Sequence, residues 1–84
     1  MNKILVEIFC PSISKSFDFW LPKKMNVKRA ISLIVDEIKS YENNTTLFSN
    51  VEEVLLFSNE VGYLDNSNTF ENLGINSGDT LIIV

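Results

Sequence analysis

Histidine is absent from this chain of 84 residues, and cysteine occurs once, as Cys10. A Cys–His nucleophile pair, a zinc site of the usual Cys/His type and a four-thiolate iron–sulfur cluster are therefore excluded. One cysteine cannot form an internal disulfide, and the amino-terminal segment lacks the basic flank and long apolar stretch of a signal peptide. We therefore expect a cytosolic protein with no metal and no other cofactor.

Long apolar runs and basic faces are also missing. No stretch approaches the roughly 20 apolar residues of a membrane-spanning helix, so direct membrane insertion is not expected. Seven Lys and Arg residues stand against 11 Asp and Glu, which gives a formal net charge of -4. Because a chain with this balance is repelled by phosphate backbones, we expect no nucleic-acid partner.

The chain is rich in apolar residues, at 45%, and only 21% of it is charged. This composition argues against disorder, and the length allows a single domain, which we place at 1–84. A domain this small buries only about two-thirds of the surface that its unfolded chain exposes. Some of the apolar side chains must therefore remain outside the core.

Alternating patterns predict a hairpin in the first third of the chain. Apolar and polar residues alternate over 3–9 and again over 16–21, which is the period of a β-strand. A segment with Pro11 and two serines, Ser12 and Ser14, lies between them and favours a turn. Pro22 ends the second run, because proline has no backbone donor for the ladder.

The spacing then changes to that of an amphipathic helix. Asn26 can cap its first turn, and Tyr41 extends the apolar stripe by one more turn. The stripe consists of Val27, Ala30, Ile31, Ile34, Val35 and Ile38. Segment 42–50 is polar and predicts a loop.

Three further strands are predicted after the loop, at 53–57, 61–64 and 80–84, with one helical turn at 69–73. The order is β-β-α-β-β-β, and the helix is expected to cover one face of a mixed sheet of four to five strands. The last strand fits best beside the first. This α+β arrangement is the β-grasp.

The closing segment Thr69-Phe70-Glu71-Asn72-Leu73-Gly74-Ile75-Asn76-Ser77-Gly78-Asp79-Thr80-Leu81-Ile82-Ile83-Val84 resembles that of ubiquitin-like domains. More narrowly, the chain resembles the YukD/EsaB family, the small ubiquitin-like components of Gram-positive type VII secretion systems. The resemblance covers nearly the full length. It is carried by the short first strand, Phe17-Asp18-Phe19-Trp20-Leu21-Pro22, the helix start Val27-Lys28-Arg29-Ala30-Ile31 and the close from Leu73 to Leu81.

The resemblance implies a bacterial, non-conjugated protein-binding module. Such a module would be an accessory component that docks on the membrane secretion machinery from the cytosol, and so lies at the inner face of the membrane through its partner. The alternative is a ubiquitin-like or sulfur-carrier substrate of an adenylating enzyme. That alternative requires a flexible Gly-Gly tail, whereas this sequence ends at Val84 within a predicted strand. A toxin-like or inhibitory β-grasp protein is a third alternative.

No set of residues predicts catalysis. Glu52-Glu53 and Asp36-Glu37 are adjacent carboxylates, but sequence neighbours point in different directions on a strand or helix. Lys23, Lys24, Lys28 and Arg29 cluster where helix amides could bind an anion, although ordinary solvated charge is the better interpretation. Cys10 is interpreted as a small apolar residue, and we expect no enzyme activity.

Strand parity predicts an apolar outer face on the sheet. If Ile4, Val6, Ile8, Phe17, Phe19, Leu81 and Ile83 face the helix, a second apolar set faces away from it. That set, the predicted protein-binding site, is Leu5, Phe9, Trp20, Ile82 and Val84, joined by Leu56 if Leu55 and Phe57 point inward. Large exposed apolar patches usually bind other proteins. A second copy of the chain, in a weak homodimer, is a further partner to consider. The alternatives are that these residues are scattered over the surface, or that loop 42–50 covers them.

Overall fold

The computed structural model describes residues 2–44 and 47–84, and over these ranges the chain forms one helix of 16 residues and five strands. The strands are β1 (Lys3–Cys10), β2 (Lys15–Pro22), β3 (Leu56–Ser58), β4 (Gly62–Tyr63) and β5 (Thr80–Ile83), and the helix is α1 (Val27–Glu42). Short 3-10 helices span Pro11–Ile13 and Val51–Glu53. The predicted element order is confirmed. Of the predicted loop 42–50, residues 45 and 46 lie outside the described residues.

The five strands form one mixed sheet in the order β2-β1-β5-β3-β4. β1 pairs in parallel with β5, and the other three neighbouring pairs are antiparallel. The predicted position of the last strand beside the first is therefore confirmed. This arrangement is the β-grasp that the sequence predicts, with the first and last strands in the interior of the sheet.

Helix α1 begins and ends with side chains suited to those positions. The Asn26 side chain accepts a hydrogen bond from the Lys28 amide at 2.9 Å, and Asn43 ends the helix with a left-handed backbone, φ 50°. The six predicted stripe positions from Val27 to Ile38 are all buried. Tyr41 was expected to extend the stripe, and this is wrong, because its side chain is 75% exposed. It lies at the outer edge of the sheet against Phe17, where no further strand covers it.

The core lies between α1 and one face of the sheet. Ile4, Val6 and Ile8 of β1 and Leu81 and Ile83 of β5 are buried there, as predicted. Phe17 and Phe19 also pack against this core, but both stay half-buried because β2 is an edge strand.

Strand β3 differs from its prediction in both start and phase. It begins at Leu56, and the preceding residues Val51–Glu53 form a 3-10 helix with the Asn50 side chain accepting from the Glu52 amide. Leu56 is fully buried in the core, so its predicted outward position is wrong. Residues 54–57 are all apolar, so alternation within this run does not set the phase. Leu55 and Phe57 therefore point outward.

Segment 64–79 returns the chain from β4 to the centre of the sheet. Phe70 is fully buried, and the Leu73 amide donates to the Thr69 carbonyl at 3.1 Å, which closes the predicted helical turn. Before β5 the chain reverses at Gly78, whose φ of +94° is a conformation that residues with a Cβ rarely adopt. The Gly78 amide donates to the Leu5 carbonyl at 2.8 Å, which sets β5 beside β1.

Candidate protein-binding face

Alternate residues of every strand point away from α1 and form the outer face of the sheet. A row of four apolar side chains crosses it, set by the strand register: Phe9 of β1 pairs with Ile82 of β5, Ile82 with Phe57 of β3, and Phe57 with Tyr63 of β4. We call Phe9, Ile82, Phe57 and Tyr63 the apolar row. The rings of Phe57 and Tyr63 meet edge to face, with centroids 5.2 Å apart. This geometry fixes both rings in place on the open face.

Two smaller apolar pairs flank the row. Leu5 lies directly opposite Trp20 across β1 and β2, and the Trp20 side chain is 59% exposed. At the other end, Leu55 and Val84 exchange two backbone hydrogen bonds of 2.9 Å, so the ladder between β3 and β5 extends one residue beyond the strands. Val84 is half exposed there. Apolar groups therefore reach both ends of the outer face.

A polar strip separates the apolar row from the pair of Leu5 and Trp20. It consists of Asp18, Glu7 and Thr80, which pair side by side across β2, β1 and β5. The Thr80 hydroxyl donates to Glu7 Oε1 at 3.0 Å. Asp18 and Glu7 stand directly opposite each other, and two like charges in this position destabilise the pairing. The strip therefore places two carboxylates between the apolar row and the pair of Leu5 and Trp20.

Five of the six predicted site residues have the predicted outward orientation. They are Leu5, Phe9, Trp20, Ile82 and Val84; Leu5, Phe9 and Ile82 are half-buried by their neighbours. Leu56 does not belong to the face, because it is in the core. That any of the five contacts a partner stays a prediction.

Three residues of the outer face were missed by the sequence interpretation: Leu55, Phe57 and Tyr63. All three depend on the phase of β3, since Tyr63 pairs with Phe57. One signal in the sequence was Ser58, which is buried at the end of β3 and accepts hydrogen bonds from the amides of Glu60 and Val61, both at 3.2 Å. A serine that caps a turn in this way faces the same side as Leu56 and puts Phe57 outside.

The loop after α1 was the alternative cover for this face. Its described residues Leu47 and Phe48 pack against the core and, with Pro11, Ser12, Ile83 and Val84, line a groove of about 390 Å³. These contacts lie at one end of the sheet, beside Val84. Trp20 and Tyr63, at 59% and 63% exposure, remain open.

Comparison with solved structures gives several ubiquitin-like domains of low sequence identity. The EccD5 ubiquitin-like domain from Mycobacterium xenopi has a TM-score of 0.80 at 11% identity, covering 100% of this chain and 94% of that one. The ubiquitin-like domain of Plasmodium falciparum Dsk2 has a TM-score of 0.75 at 15% identity, covering 98% and 96%. The chain has a ubiquitin-like fold. An Arabidopsis thaliana ubiquitin-like domain matches with a TM-score of 0.70 at 19% identity, covering 100% and 78%.

At these identities the likeness of the chain to these domains shows the fold alone. No protein-family model matches the chain, and no curated protein matches it significantly. The predicted ubiquitin-like β-grasp is therefore confirmed, whereas membership of the YukD/EsaB family is a finer statement that these matches do not reach.

Away from the outer face, the described residues make local polar contacts. Across 2–44 and 47–84, Cys, Asp and Glu side chains form no group of three that could hold a metal ion. Cys10 is buried, with its Sγ 3.4 Å from the Ser12 hydroxyl. Over the same described ranges, the helix has neither the length nor the apolar content to cross a bilayer.

One carboxyl group has a shifted pKa. Hydrogen bonds from the hydroxyl of Ser67 at 2.7 Å and from its amide at 2.9 Å stabilise the charged form of Asp65 and lower its pKa below 3.8. Asp65 belongs to the turn after β4 and is fully exposed. Its shifted pKa is the result of a local turn, away from the outer face.

Proposed function

We propose that this protein is a non-enzymatic binding module that docks on another protein through the outer face of its sheet. The apolar row carries the proposal, because four apolar side chains in register across four strands form a continuous surface rather than scattered positions. Tyr63 and Trp20 are the most exposed aromatic residues of the face. Aromatic side chains of this kind supply most of the free energy of binding at protein interfaces.

The polar strip supports a partner with a matching positive group. Glu7 and Asp18 repel each other across β1 and β2, and only Thr80 donates a recorded side-chain hydrogen bond to either carboxylate within the described ranges. A Lys or Arg of the partner placed over the strip would satisfy both carboxylates. Such a contact contributes specificity and association rate more than affinity. The partner is therefore expected to present an apolar surface around a basic side chain.

The resemblance to the YukD/EsaB family supports a cellular context for this binding. In this proposal the protein is an accessory component of a type VII secretion system that binds a cytosolic domain of the membrane machinery. It is cytoplasmic and reaches the membrane through that partner. The likeness to an EccD5 ubiquitin-like domain is in keeping with this context but, at 11% identity, carries only the fold.

The test introduces charge at the two most exposed aromatic positions of the face. The variants are Trp20→Glu and Tyr63→Glu, and the matched control is Leu33→Glu, which changes a 44% exposed apolar residue on α1. Binding to purified cytosolic domains of the type VII membrane components from the same bacterium is measured by titration calorimetry. Loss of an aromatic contact of about 1.4 kcal/mol or more should weaken binding at least tenfold.

Far-UV circular dichroism of each variant establishes that the fold is retained. Equal weakening by Leu33→Glu would refute a docking surface confined to the sheet face. Unchanged affinity of both sheet variants would refute the proposed face. Binding to none of the secretion domains would refute the secretion context. Sedimentation of the free protein detects the alternative homodimer.

A further inference from the structure

The two edges of the sheet differ in length. β4 forms one edge and spans two residues, whereas β2 forms the other and spans eight. A long edge strand presents backbone groups that can pair with another extended chain, and proteins usually shorten, cover or charge such edges. Only the β4 edge is shortened here. The β2 edge is therefore the place to ask which backbone groups are free.

The hydrogen-bond pattern of the neighbouring strands identifies the free groups. The Lys23 amide donates to the Asn2 carbonyl at 2.7 Å, so the hydrogen-bonded pairs of β1 and β2 alternate from that pair onward. On β1 the Leu5 carbonyl accepts from Gly78 and the Glu7 amide donates to Asp79, so both residues face β5. Trp20 and Asp18 lie opposite Leu5 and Glu7 on β2, so their backbone groups point away from β1. Ser16, which lies opposite Phe9, follows in the same alternation.

Ser16, Asp18 and Trp20 thus direct their amides and carbonyls away from the sheet. Among the described residues, no backbone hydrogen bond outside the strand ladder involves the amides or carbonyls of Ser16, Asp18 and Trp20. All three residues are exposed. An extended peptide could pair with them without breaking any bond of the existing sheet.

A groove runs beside this edge on the helix side. Its volume is about 620 Å³, and Phe17 and Phe19 of β2 and Tyr41 of α1 supply its apolar walls. The Tyr41 ring leans on Phe17, with centroids 5.9 Å apart. Alternate side chains of a strand added to β2 would point into this groove. The edge and the groove together have the features of a site for strand addition, in which the backbone supplies affinity and the pockets supply specificity.

Charge decides which strand fits. The groove and edge carry three carboxylates, Asp18, Glu37 and Glu42, against the single ammonium of Lys15, which is already paired with Glu42 at 3.0 Å. A second copy of the chain would bring the same excess of negative charge and be repelled. A segment with basic residues would be attracted.

We propose that the free edge of β2 binds an extended peptide segment of a protein partner, with apolar residues at alternate positions and lysine or arginine between them. This site is separate from the apolar row and does not depend on it. Trp20 and Asp18 take part in both the edge and the outer face, with their backbones at the edge and their side chains on the face. The protein would then hold a partner by two surfaces, one flat and one linear.

The probe is a short synthetic peptide with blocked ends in which valine and isoleucine alternate with lysine and threonine. Binding to the full chain is followed by amide chemical shifts in NMR spectra. The largest shifts are expected at Ser16, Asp18 and Trp20, with slowed hydrogen exchange at their amides and a dissociation constant below about 1 mM. Absence of shifts at that concentration would refute the proposal.

Peptide controls separate backbone pairing from apolar adhesion. Methylation of alternate backbone nitrogens on the pairing side keeps every side chain but removes the donors, and should weaken binding about tenfold or more. A peptide with glutamate in place of lysine should bind the native protein more weakly than the lysine peptide does. The same glutamate peptide should bind the Asp18→Lys variant more tightly than it binds the native protein. Equal binding of the methylated peptide would refute strand addition, as would shifts centred on Phe57 and Ile82.

Protein controls test the groove and the alternative occupant. Tyr41→Ala should weaken peptide binding, whereas Leu33→Ala, at another exposed position of α1, should leave it unchanged. Equal effects of the two would place the peptide outside the groove. In the absence of peptide, amide chemical shifts at the β2 edge should stay constant as the protein concentration rises. A concentration dependence would show that a second copy of the chain binds there, and it would overturn the proposal.

Discussion

Leu55 and Leu56 are adjacent leucines on opposite faces of β3, and they offer a matched test of its phase. Leu56 is fully buried in the core, opposite Ile83, while Leu55 is half-buried on the outer face, opposite Val84. Replacing either with alanine removes the same atoms and alters strand propensity equally. Any difference between Leu55→Ala and Leu56→Ala therefore reports which side chain occupies the core.

The expected difference is large compared with the stability of a domain of this size. Loss of a buried leucine side chain costs about 2–5 kcal/mol, including the cavity that it leaves. For half-buried Leu55, the loss should be about 1 kcal/mol or less, since complete burial of such a side chain contributes about 1.5–3 kcal/mol. The whole domain is expected to have a free energy of unfolding of about 4–13 kcal/mol, from about 0.05–0.15 kcal/mol per residue.

Urea and thermal unfolding measure the effect. At about 4–8 °C per kcal/mol, Leu56→Ala should lower Tm by roughly 8–40 °C, and Leu55→Ala by less than about 8 °C. The dependence of unfolding free energy on urea should not change, which checks that both variants unfold from a similarly compact state. Equal losses, or a larger loss for Leu55→Ala, would refute the phase and with it the positions of Phe57 and Tyr63 on the outer face.

Two further predictions concern hydrogen bonds of single side chains. Asn26→Ala should destabilise the protein by about 1 kcal/mol in urea unfolding, because the Lys28 amide loses its hydrogen-bond acceptor. Asn26→Ser should restore most of this stability. Equal stability of all three proteins would contradict the role of Asn26 as a cap. Carbon-13 NMR titration should give Asp65 a pKa below 3.8, and Ser67→Ala should raise it. Because the folded pKa is the lower one, the associated stability is present above the unfolded pKa and declines as pH falls through the folded pKa; an unshifted Asp65 in both proteins would contradict this.

The elements that could be predicted from the sequence are those in which polar residues mark every second or third position. In β1, Lys3 and Glu7 alternate with buried aliphatic residues, so the pattern determines both the strand and its phase. In α1, charged residues separate the apolar stripe in the same way. The outer face could be derived wherever this alternation holds, which is why Leu5 and Phe9 were placed correctly.

The remaining features of the structure depend on which elements lie next to each other in the fold. Residues 54–57 are continuously apolar and show no alternation, and the pairing of Leu56 with Ile83 and of Phe57 with Ile82 sets which side is inward. Helical periodicity places Tyr41 on the buried stripe but contains no information on where the sheet ends. The free groups of the β2 edge follow from the register with β1 and from the bonds of β1 to β5. These features are set by the pairing of strands that are distant in the sequence.

The position of β5 has a consequence for when the protein can fold. Thr80–Ile83 lies between β1 and β3, and its contacts with β1 join residues as far as 73 positions apart, as in the bond from Thr80 to Glu7. Closing so large a loop is a slow step, and it needs the residues of β5. On the ribosome, the hairpin of β1 and β2 and helix α1 must wait with their apolar sides exposed until β5 emerges. Synthesis of β5, rather than of the helix, is therefore the event that allows the two parts of the sheet to join.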